Sequence, residues 1–237
     1  EDYKVNGGIG VISSRLLVQG PIKKDKGSFI VSGRTSYAHL FLKLADNKNS
    51  AMFYDFNAKL NYRLNANNTI AFSGYLGNDV FDINDRFSSK YGNTMGILSW
   101  KHTFTDELNS NLSVFYSDYR FNLGISTEKF EWDSNIKSYG LKYNWNYQIS
   151  EKFKANYGID GLYYDFNPGV VKPSTSDSPY NYKQLDKKHA LEASTFIDFE
   201  NQITEKLNFR YGLRYSSFYR LGPEPISTYE NGQAVVY

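Results

Sequence analysis

The sequence has no cysteine among its 237 residues, and it has only 3 histidines. The lack of cysteine excludes structural disulfides, thiol catalysis and cysteine-based zinc or iron–sulfur sites. The histidines, His39, His102 and His189, lie far apart and none has a second ligand at metal-binding spacing. We therefore predict no metal site and no cofactor. Because no group of residues has the composition of a catalytic site, we also predict that the protein is not an enzyme.

Two further absences concern the partners of the protein. No apolar run approaches the roughly 18 residues that a membrane-spanning helix needs. The 27 basic and 25 acidic residues leave a net charge of only +2, so no field of one sign attracts nucleic acid. We predict no nucleic-acid partner.

Aromatic residues, in contrast, make up 17% of the chain, and 21 of them are tyrosines. Apolar residues recur with a period of two along nearly the whole chain, which is the pattern of β-strands. In 137–149, for example, Tyr139, Leu141 and Tyr143 alternate with Ser138, Gly140 and Lys142. We predict ten strands, at 8–20, 28–37, 51–64, 69–83, 92–104, 111–125, 136–149, 153–166, 188–202 and 207–219.

The links between these strands are of two kinds, which alternate along the chain. Short polar turns lie at 23–27, 65–68, 105–110, 150–152 and 204–206, and they are made of residues that favour turns. Longer links lie at 38–50, 84–91, 126–135, 167–187 and 220–237. Such alternation is typical of outer-membrane barrels, which have short turns on the periplasmic side and longer loops outside.

Two architectures share this alternation, a soluble sandwich and a transmembrane barrel. The barrel is favoured because most of the strands reach the 9–11 residues needed to cross the hydrocarbon layer. Aromatic residues also cluster near strand ends, at 53–54, 116–119, 163–164 and 218–219, where a barrel carries aromatic girdles. Full charges in mid-strand suit a wet lumen better than a dry core. We predict an all-β, antiparallel, up-and-down transmembrane β-barrel segment in contact with outer-membrane lipid.

The direction of the strands bears on the extent of the barrel. If the short turns are periplasmic, the first predicted strand runs inward and the last runs outward, so both ends of the chain lie outside the cell. Ten open strands would leave two unpaired edges in lipid. We therefore expect residues 1–237 to be part of a single, larger barrel domain, whose plug domain and remaining strands lie outside this sequence.

Candidate binding residues lie on the polar faces of the strands and in one loop. The predicted residues facing the lumen or the plug are Arg63, Lys142, Asp160, Asp198, Arg210 and Arg214. Tyr180 and Tyr182, in the link 167–187, are candidate substrate-binding residues because loops often carry function. A ligand-free surface loop is an equal alternative. Asp79, Asp82 and Asp85 carry the oxygen ligands of calcium, but their spacing is not that of a calcium loop, and a solvated rim is favoured.

Two blocks resemble a known family. The block 7–22, "GGIGVISSRLLVQGPI", with 24–37, "KDKGSFIVSGRTSY", resembles the early barrel strands of TonB-dependent outer-membrane receptors of the Bacteroidetes type. The block 205–215, "EKLNFRYGLRY", is similar to a recurrent barrel hairpin of the same SusC-like or related receptors. The resemblance implies a barrel of about 22 strands that encloses a plug domain. It also implies energy supplied by the TonB-ExbB-ExbD complex and, in some relatives, a SusD-like surface lipoprotein as partner.

The function implied by this resemblance is import of a nutrient, a glycan, peptide or metal chelate, across the outer membrane of a Gram-negative bacterium. Two alternatives stay open from the residues alone. One is a passive outer-membrane pore or an assembly-type barrel, and the other is a soluble all-β surface binding module. Charges of both signs on the polar faces leave the charge of the substrate open.

Overall fold

The computed structural model of the protein describes residues 2–45, 48–222, 228–230 and 233–235. A single antiparallel sheet of 12 strands contains most of them, and its strands pair in chain order except that the eleventh strand pairs with the ninth and not with the tenth. Its strands are β1 (Lys4–Ile9), β2 (Ser13–Lys23), β3 (Gly27–Ser36), β4 (Ser50–Arg63), β5 (Asn68–Ile83), β6 (Phe87–Thr103), β7 (Leu108–Ile125), β8 (Phe130–Ser150), β9 (Phe153–Pro173), β10 (Lys183–Gln184), β11 (Lys188–Thr204) and β12 (Leu207–Leu221). Strands β13 (Thr228–Glu230) and β14 (Gln233–Val235) form a separate two-stranded antiparallel sheet.

This order confirms the predicted all-β, antiparallel, up-and-down fold. The sheet is open: β1 and β12 are its end strands, and β10 pairs only with β9. The turns β2–β3, β4–β5, β6–β7, β8–β9 and β11–β12 are short, as the sequence predicted. We call the end of the sheet that carries them the short-turn end, and the opposite end the far end.

The first predicted strand is wrong in its extent. Residues 8–20 belong to two strands, because the chain reverses between β1 and β2 through a turn in which the Gly10 amide donates to the Ser13 carbonyl over 2.9 Å. The link 38–50 contains a helix that the sequence did not predict, α1 (Ala38–Leu44). Within the described residues, no helix is long and apolar enough to cross a membrane.

The far end differs from prediction in its links. The predicted long links 84–91 and 126–135 are tight turns, because β6 begins at Phe87 and β8 at Phe130, before their predicted starts, whereas β5 and β7 end at residues 83 and 125 as predicted. Asn84, Asp85 and Lys129 have positive φ angles of 52°, 55° and 57°, which close these reversals. Strict alternation of short and long links is therefore wrong, although the link between β9 and β11 is long. The predicted link 220–237 lies partly outside the described residues.

Directly paired residues of neighbouring strands lie on the same face, so the register defines two faces. Phe72, Leu98, Val114 and Leu141 are consecutive partners across β5 to β8, and we call their side of the sheet the Leu141 face. Lys142 lies on the opposite side, the Lys142 face. The only buried apolar residues in the described part of the chain are Ala155 and Val170, so most large apolar side chains lie on one of the two faces rather than in an interior core.

Candidate functional site

The Leu141 face carries an apolar band along each long strand. On β8, Tyr139, Leu141, Tyr143, Trp145, Tyr147 and Ile149 occupy every position of this face from residue 139 to 149. Ten residues span about 33 Å along a strand at about 3.3 Å per residue. A strand tilted by about 40° covers about 25 Å of height over that length, which is the height of the apolar band of an outer-membrane barrel.

Aromatic rings mark both edges of this band. At its far-end edge, Tyr116, Tyr139 and Tyr163 are direct partners on β7, β8 and β9, and their rings lie 5.2 and 6.2 Å apart. We call these three residues the tyrosine row. Toward the short-turn end, Trp145 stacks on Tyr157 with ring centroids 5.6 Å apart. The two edges have the arrangement of the two aromatic girdles of a membrane barrel.

Each predicted aromatic cluster supplies only some of its residues to these edges. Tyr54, Tyr116, Tyr163 and Tyr219 lie on the Leu141 face, whereas their neighbours Phe53, Tyr164 and Phe218 lie on the Lys142 face. Strand neighbours point to opposite sides, so a pair of adjacent aromatic residues cannot serve one girdle.

Immediately beyond the tyrosine row, the Leu141 face becomes polar. Thr94, Asp118, Lys137, Asp165 and His189 are consecutive partners across β6 to β11 and form one row. Asp118 lies 3.9 Å from Arg120, and Asp165 lies 3.3 Å from Lys187. Polar and charged side chains are costly in lipid and inexpensive in water, so this row ends the apolar band at one height on five neighbouring strands.

At the same height the Lys142 face becomes aromatic. Tyr75, Phe81, Tyr91, Tyr119, Phe121 and Trp132 lie on this face of β5 to β8, and we call them the ring wall. Phe81 stacks on Tyr91 at 6.2 Å, and 42% of the surface of Phe81 and of Tyr119 is exposed. Asp79 is the charged residue of this face next to Tyr91, its direct partner on β6.

The sequence analysis missed the ring wall, although the sequence contains a signal for it. On β7 the apolar residues Val114 and Tyr116 have even numbers, whereas Tyr119, Phe121 and Leu123 have odd numbers. The apolar set therefore moves from one face to the other within a single strand. A search for such a change of parity would have found the ring wall.

Toward the short-turn end, the Lys142 face carries charges that pair across strands. Arg214 lies 2.8 Å from the Asp160 carboxylate, and Lys142 lies 3.9 Å from it. Ser194 donates to the same carboxylate over 3.3 Å. The structure thus brings together three of the predicted residues, on β8, β9 and β12. The second Asp160 oxygen, Oδ1, is buried without a hydrogen-bond partner, which leaves an acceptor in this cluster.

The other predicted residues of this face are separate from the Asp160 cluster. Arg210 lies 3.5 Å from Asp198 and 3.7 Å from Glu200, and Asn156 donates to Asp198 over 2.9 Å. Arg63 is at the short-turn end of β4, where its guanidinium donates to the Asp25 carbonyl in the β2–β3 turn. Arg63 therefore stabilises the β2–β3 turn and contacts neither the Asp160 nor the Asp198 carboxylate.

The link between β9 and β11 folds back onto the β7–β8 turn. The Lys129 ammonium donates to Asp177, and the Ser178 hydroxyl donates to the Lys129 carbonyl over 2.7 Å. The hydrogen bond from Lys129 lowers the pKa of the Asp177 carboxyl below its ordinary value. Tyr180 packs on Phe130 with ring centroids 5.0 Å apart.

The two candidate tyrosines of this link therefore differ. Tyr180 is held against β8, whereas 64% of the surface of Tyr182 is exposed. Tyr182 is thus the more accessible of the two to a ligand.

The aspartates considered for calcium are dispersed. Asp79 and Asp82 lie on opposite faces of β5, and Asp85 lies in the following turn. The part of the chain that the structure describes contains no group of three side chains able to hold a metal ion. His102 contacts the Asn68 side chain at 2.8 Å, and His189 contacts the Tyr163 hydroxyl at 2.9 Å.

Comparisons with known proteins show which solved structures have a similar fold. No protein-family profile matches the chain, and no curated protein matches it in sequence. Several solved structures align with about nine tenths of it, among them the following three. The ferric preacinetobactin receptor BauA from Acinetobacter baumannii is 10% identical, with a TM-score of 0.67 over 91% of this chain and 40% of its own. The copper transporter OprC is 10% identical, with a TM-score of 0.70 over 90% of this chain and 36% of its own.

The siderophore receptor PirA from Acinetobacter baumannii is 14% identical, with a TM-score of 0.65 over 91% of this chain and 38% of its own. The chain thus spans about two fifths of the length of the structures it matches. At these identities the likeness concerns the fold alone. The open sheet has the fold of part of the barrel wall of TonB-dependent outer-membrane receptors.

Proposed function

We propose that this chain is a wall segment of an outer-membrane β-barrel that imports a nutrient into a Gram-negative bacterium, as part of a TonB-dependent transporter. The observation that carries the proposal is the apolar band of the Leu141 face. Its residues are large and half exposed, Val114 at 41% and Leu141 at 42%, and aromatic rings bound the band on both sides. Such a surface is stable against lipid, whereas a monomeric soluble protein rarely exposes an apolar patch of this size.

In this proposal the protein performs binding and passage rather than catalysis. The Lys142 face lines the lumen, where the Asp160 and Asp198 clusters contact a plug domain. Support comes from the exposed guanidinium groups of Arg214 and Arg210, which extend from these two clusters and have N–H donors for acceptors of a neighbouring domain. The ring wall and Tyr182 lie toward the far end, so they are the first surfaces that an entering ligand meets.

The substrate and the protein partners belong to the same proposal. The ring wall offers π-faces and one flanking carboxylate, Asp79, which suit a ligand with ring or apolar surfaces. A glycan, a peptide and a metal chelate each have such surfaces. Remaining barrel strands would pair with the edges of β1 and β12, and the TonB-ExbB-ExbD complex would supply the energy. A SusD-like lipoprotein would contact the loops at the far end.

Labelling of introduced cysteines tests the membrane location, because the 237 residues contain no cysteine that would interfere. The full-length protein, in isolated outer membranes, carries Leu141→Cys or, as a matched control on the same face and strand, Lys137→Cys. We expect a water-soluble maleimide to label Lys137→Cys and to leave Leu141→Cys unlabelled until the protein is unfolded. Equal labelling of both positions would support the soluble binding module instead.

Uptake by whole cells separates the importer from the passive pore. Cells that depend on the full-length protein for a limiting nutrient are depleted of TonB, and uptake of the radiolabelled nutrient is measured. An importer stops when TonB is lost, because transport against a gradient needs the energy source. Uptake that continues unchanged would identify a passive pore, and no uptake with an intact barrel would favour an assembly-type barrel.

A further inference from the structure

Two arginines lie side by side on the Lys142 face, near the far end of β2 and β3. Arg15 and Arg34 are direct partners across these strands, and both are exposed. Two like charges placed directly opposite each other destabilise a sheet. Arg15 makes no hydrogen bond and no ion pair with the residues that the structure describes. The pair therefore carries a positive charge that this part of the chain does not compensate.

The carboxylate that contacts the pair is already engaged. Arg34 donates through Nε to one oxygen of Asp55 over 2.7 Å, and Asn57 donates to the other oxygen over 3.5 Å. The side chain of Asp55 is 16% exposed, compared with 55% for Arg34. Because a guanidinium has five N–H donors, the terminal nitrogens of Arg34 and all the donors of Arg15 remain for an acceptor from outside the sheet.

The two guanidinium groups lean in opposite directions, which leaves space between them. Arg34 leans toward β4, and its guanidinium lies 4.8 Å from the centre of the Phe53 ring. Arg15 leans toward β1 and lies over Gly8, where a Cβ would be 3.5 Å from the Arg15 Nε. An oxyanion between them would accept hydrogen bonds from both. Carboxylate and phosphate groups match the planar fork of a guanidinium best.

The register connects this pair to the ring wall. The row of direct partners that begins at Arg34 continues across β4 to β7 through Asp55, Gly77, Asn93 and Tyr119. Phe53, which contacts Arg34, is the direct partner of Asp79, and Asp79 is the direct partner of Tyr91. Strands β3 and β6 lie about 14 Å apart across the sheet, at about 4.8 Å per strand. A ligand with an acidic group at one end of a ring or apolar body would reach both surfaces.

We propose that Arg15 and Arg34 form a subsite for a carboxylate or phosphate group of the imported ligand, while the ring wall contacts the rest of that ligand. The proposal rests on the proposed import function, which makes the Lys142 face the lining of a lumen. It narrows the substrate to glycans, peptides or chelates that carry an acidic group. A neutral ligand would leave the repulsion between the two arginines uncompensated.

The experiment measures binding to the full-length protein, purified in detergent, by fluorine NMR with protein-free micelles as the baseline. The probe is 6-fluoro-2-naphthoate, and the matched control compound is 6-fluoro-2-naphthamide, which has the same rings without the charge. The variant is Arg15→Gln. Its matched control is Lys59→Gln, which removes an exposed cation of the same face four positions along β4 from Asp55.

We expect the unmodified protein to bind the naphthoate at least about tenfold more tightly than the naphthamide, because a hydrogen bond to a charged group contributes about that factor. Arg15→Gln should lose this preference and Lys59→Gln should keep it. Arg15→Lys keeps the charge but not the fork, so its preference should be intermediate. Inorganic phosphate should displace the naphthoate at concentrations where chloride of equal ionic strength does not.

Several outcomes would overturn the proposal. Equal binding of the two compounds would do so, as would an equal loss in Arg15→Gln and Lys59→Gln or equal displacement by phosphate and chloride. Without a probe, loss of a like charge should leave the melting temperature of Arg15→Gln unchanged or raise it. If the melting temperature falls, a carboxylate of the plug domain occupies the subsite and the assignment to a ligand is wrong. Failure of the import function would appear separately, as uptake that continues without TonB, while the preference for the naphthoate would persist.

Discussion

A charge placed on the apolar band measures whether lipid surrounds it, and Ile159→Arg is the most informative substitution. Ile159 lies on the Leu141 face of β9, between Tyr143 of β8 and Thr195 of β11. It is four positions from Tyr163 and six from Phe153, near the middle of the band. Arginine at the midplane of a membrane barrel costs about 2–4 kcal/mol, so the free energy of unfolding should fall by that amount.

Ile149→Arg is the matched control. Ile149 lies on the same face at the short-turn edge of the band, and it is 44% exposed, compared with 47% for Ile159. Near the interface the cost of arginine falls to about 0–1 kcal/mol. In water both substitutions would change stability by less than about 0.5 kcal/mol, because the sites are equally exposed.

The measurement is equilibrium unfolding of the full-length protein in lipid vesicles by guanidinium chloride, followed by tryptophan fluorescence. The membrane location predicts a clear difference between the two variants, with Ile159→Arg the less stable. Equal stability within about 0.5 kcal/mol would refute the assignment of the band to lipid.

Three further predictions concern packing, charge and pH. Gly140→Ala should cost about 1–3 kcal/mol in thermal unfolding, because the new Cβ would meet the Phe115 ring at 2.0 Å. Gly161→Ala, with no atom within 4 Å of its Cβ, should change stability by less than about 0.5 kcal/mol, and similar melting of both variants would contradict this packing. Asp160→Asn should lower the free energy of unfolding by about 0.5–1 kcal/mol, because it removes the ion pair with the half-exposed Arg214. In 1 M salt the Debye length is about 3 Å, so the pair is screened and the loss of stability should be smaller. Because Lys129 lowers the pKa of Asp177, the contact between them should be complete above the ordinary carboxyl pKa of 3.8 and should be lost as pH falls through the lower pKa of the folded protein. Cleavage by pepsin within 174–187 should therefore increase as pH falls. The variant Asp177→Asn should be cleaved equally at every pH where pepsin is active. If cleavage of the variant depends on pH in the same way as cleavage of the unmodified protein, Asp177 is not the cause.

The sequence predicted strands accurately where one alternation runs from end to end. The prediction 51–64 corresponds to β4, Ser50–Arg63, because its apolar residues keep even numbers throughout. For β8 the prediction began at residue 136, whereas the strand begins at Phe130. Phe130, Trp132 and Ile136 have even numbers and Tyr139 and Leu141 have odd ones, so the change of face was misread as a loop. The hydrogen bonds between neighbouring strands continue where the apolar residues change face, because backbone pairing does not depend on which face of the sheet is in contact with water.

The candidate site was predictable only as a set of residues on one face. Periodicity placed Lys142, Asp160 and Arg214 on the polar faces of their strands, but it could not show that they meet. Asp160 and Arg214 are 54 residues apart and contact each other only through the registers of β9 with β11 and of β11 with β12. Register depends on the fit of whole strands and turns, which a single sequence does not reveal. The role of Arg63 in a turn was likewise hidden, because its partner is a backbone carbonyl.

The exchange of polarity between the two faces also protects the folding of the sheet against slippage. A slip of one residue turns every side chain to the wrong side, but a slip of two residues keeps each side chain on its own face and is much harder to reject. Here a shift of β8 by two residues along β7 would separate Tyr116 from Tyr139 and bring Tyr116 opposite either Lys137 or Leu141. A shift toward the short-turn end would place Lys137 inside the apolar band, and a shift toward the far end would place an apolar residue of β8 beyond it. The height at which the apolar band ends therefore selects one register among those that alternation of polar and apolar residues alone permits.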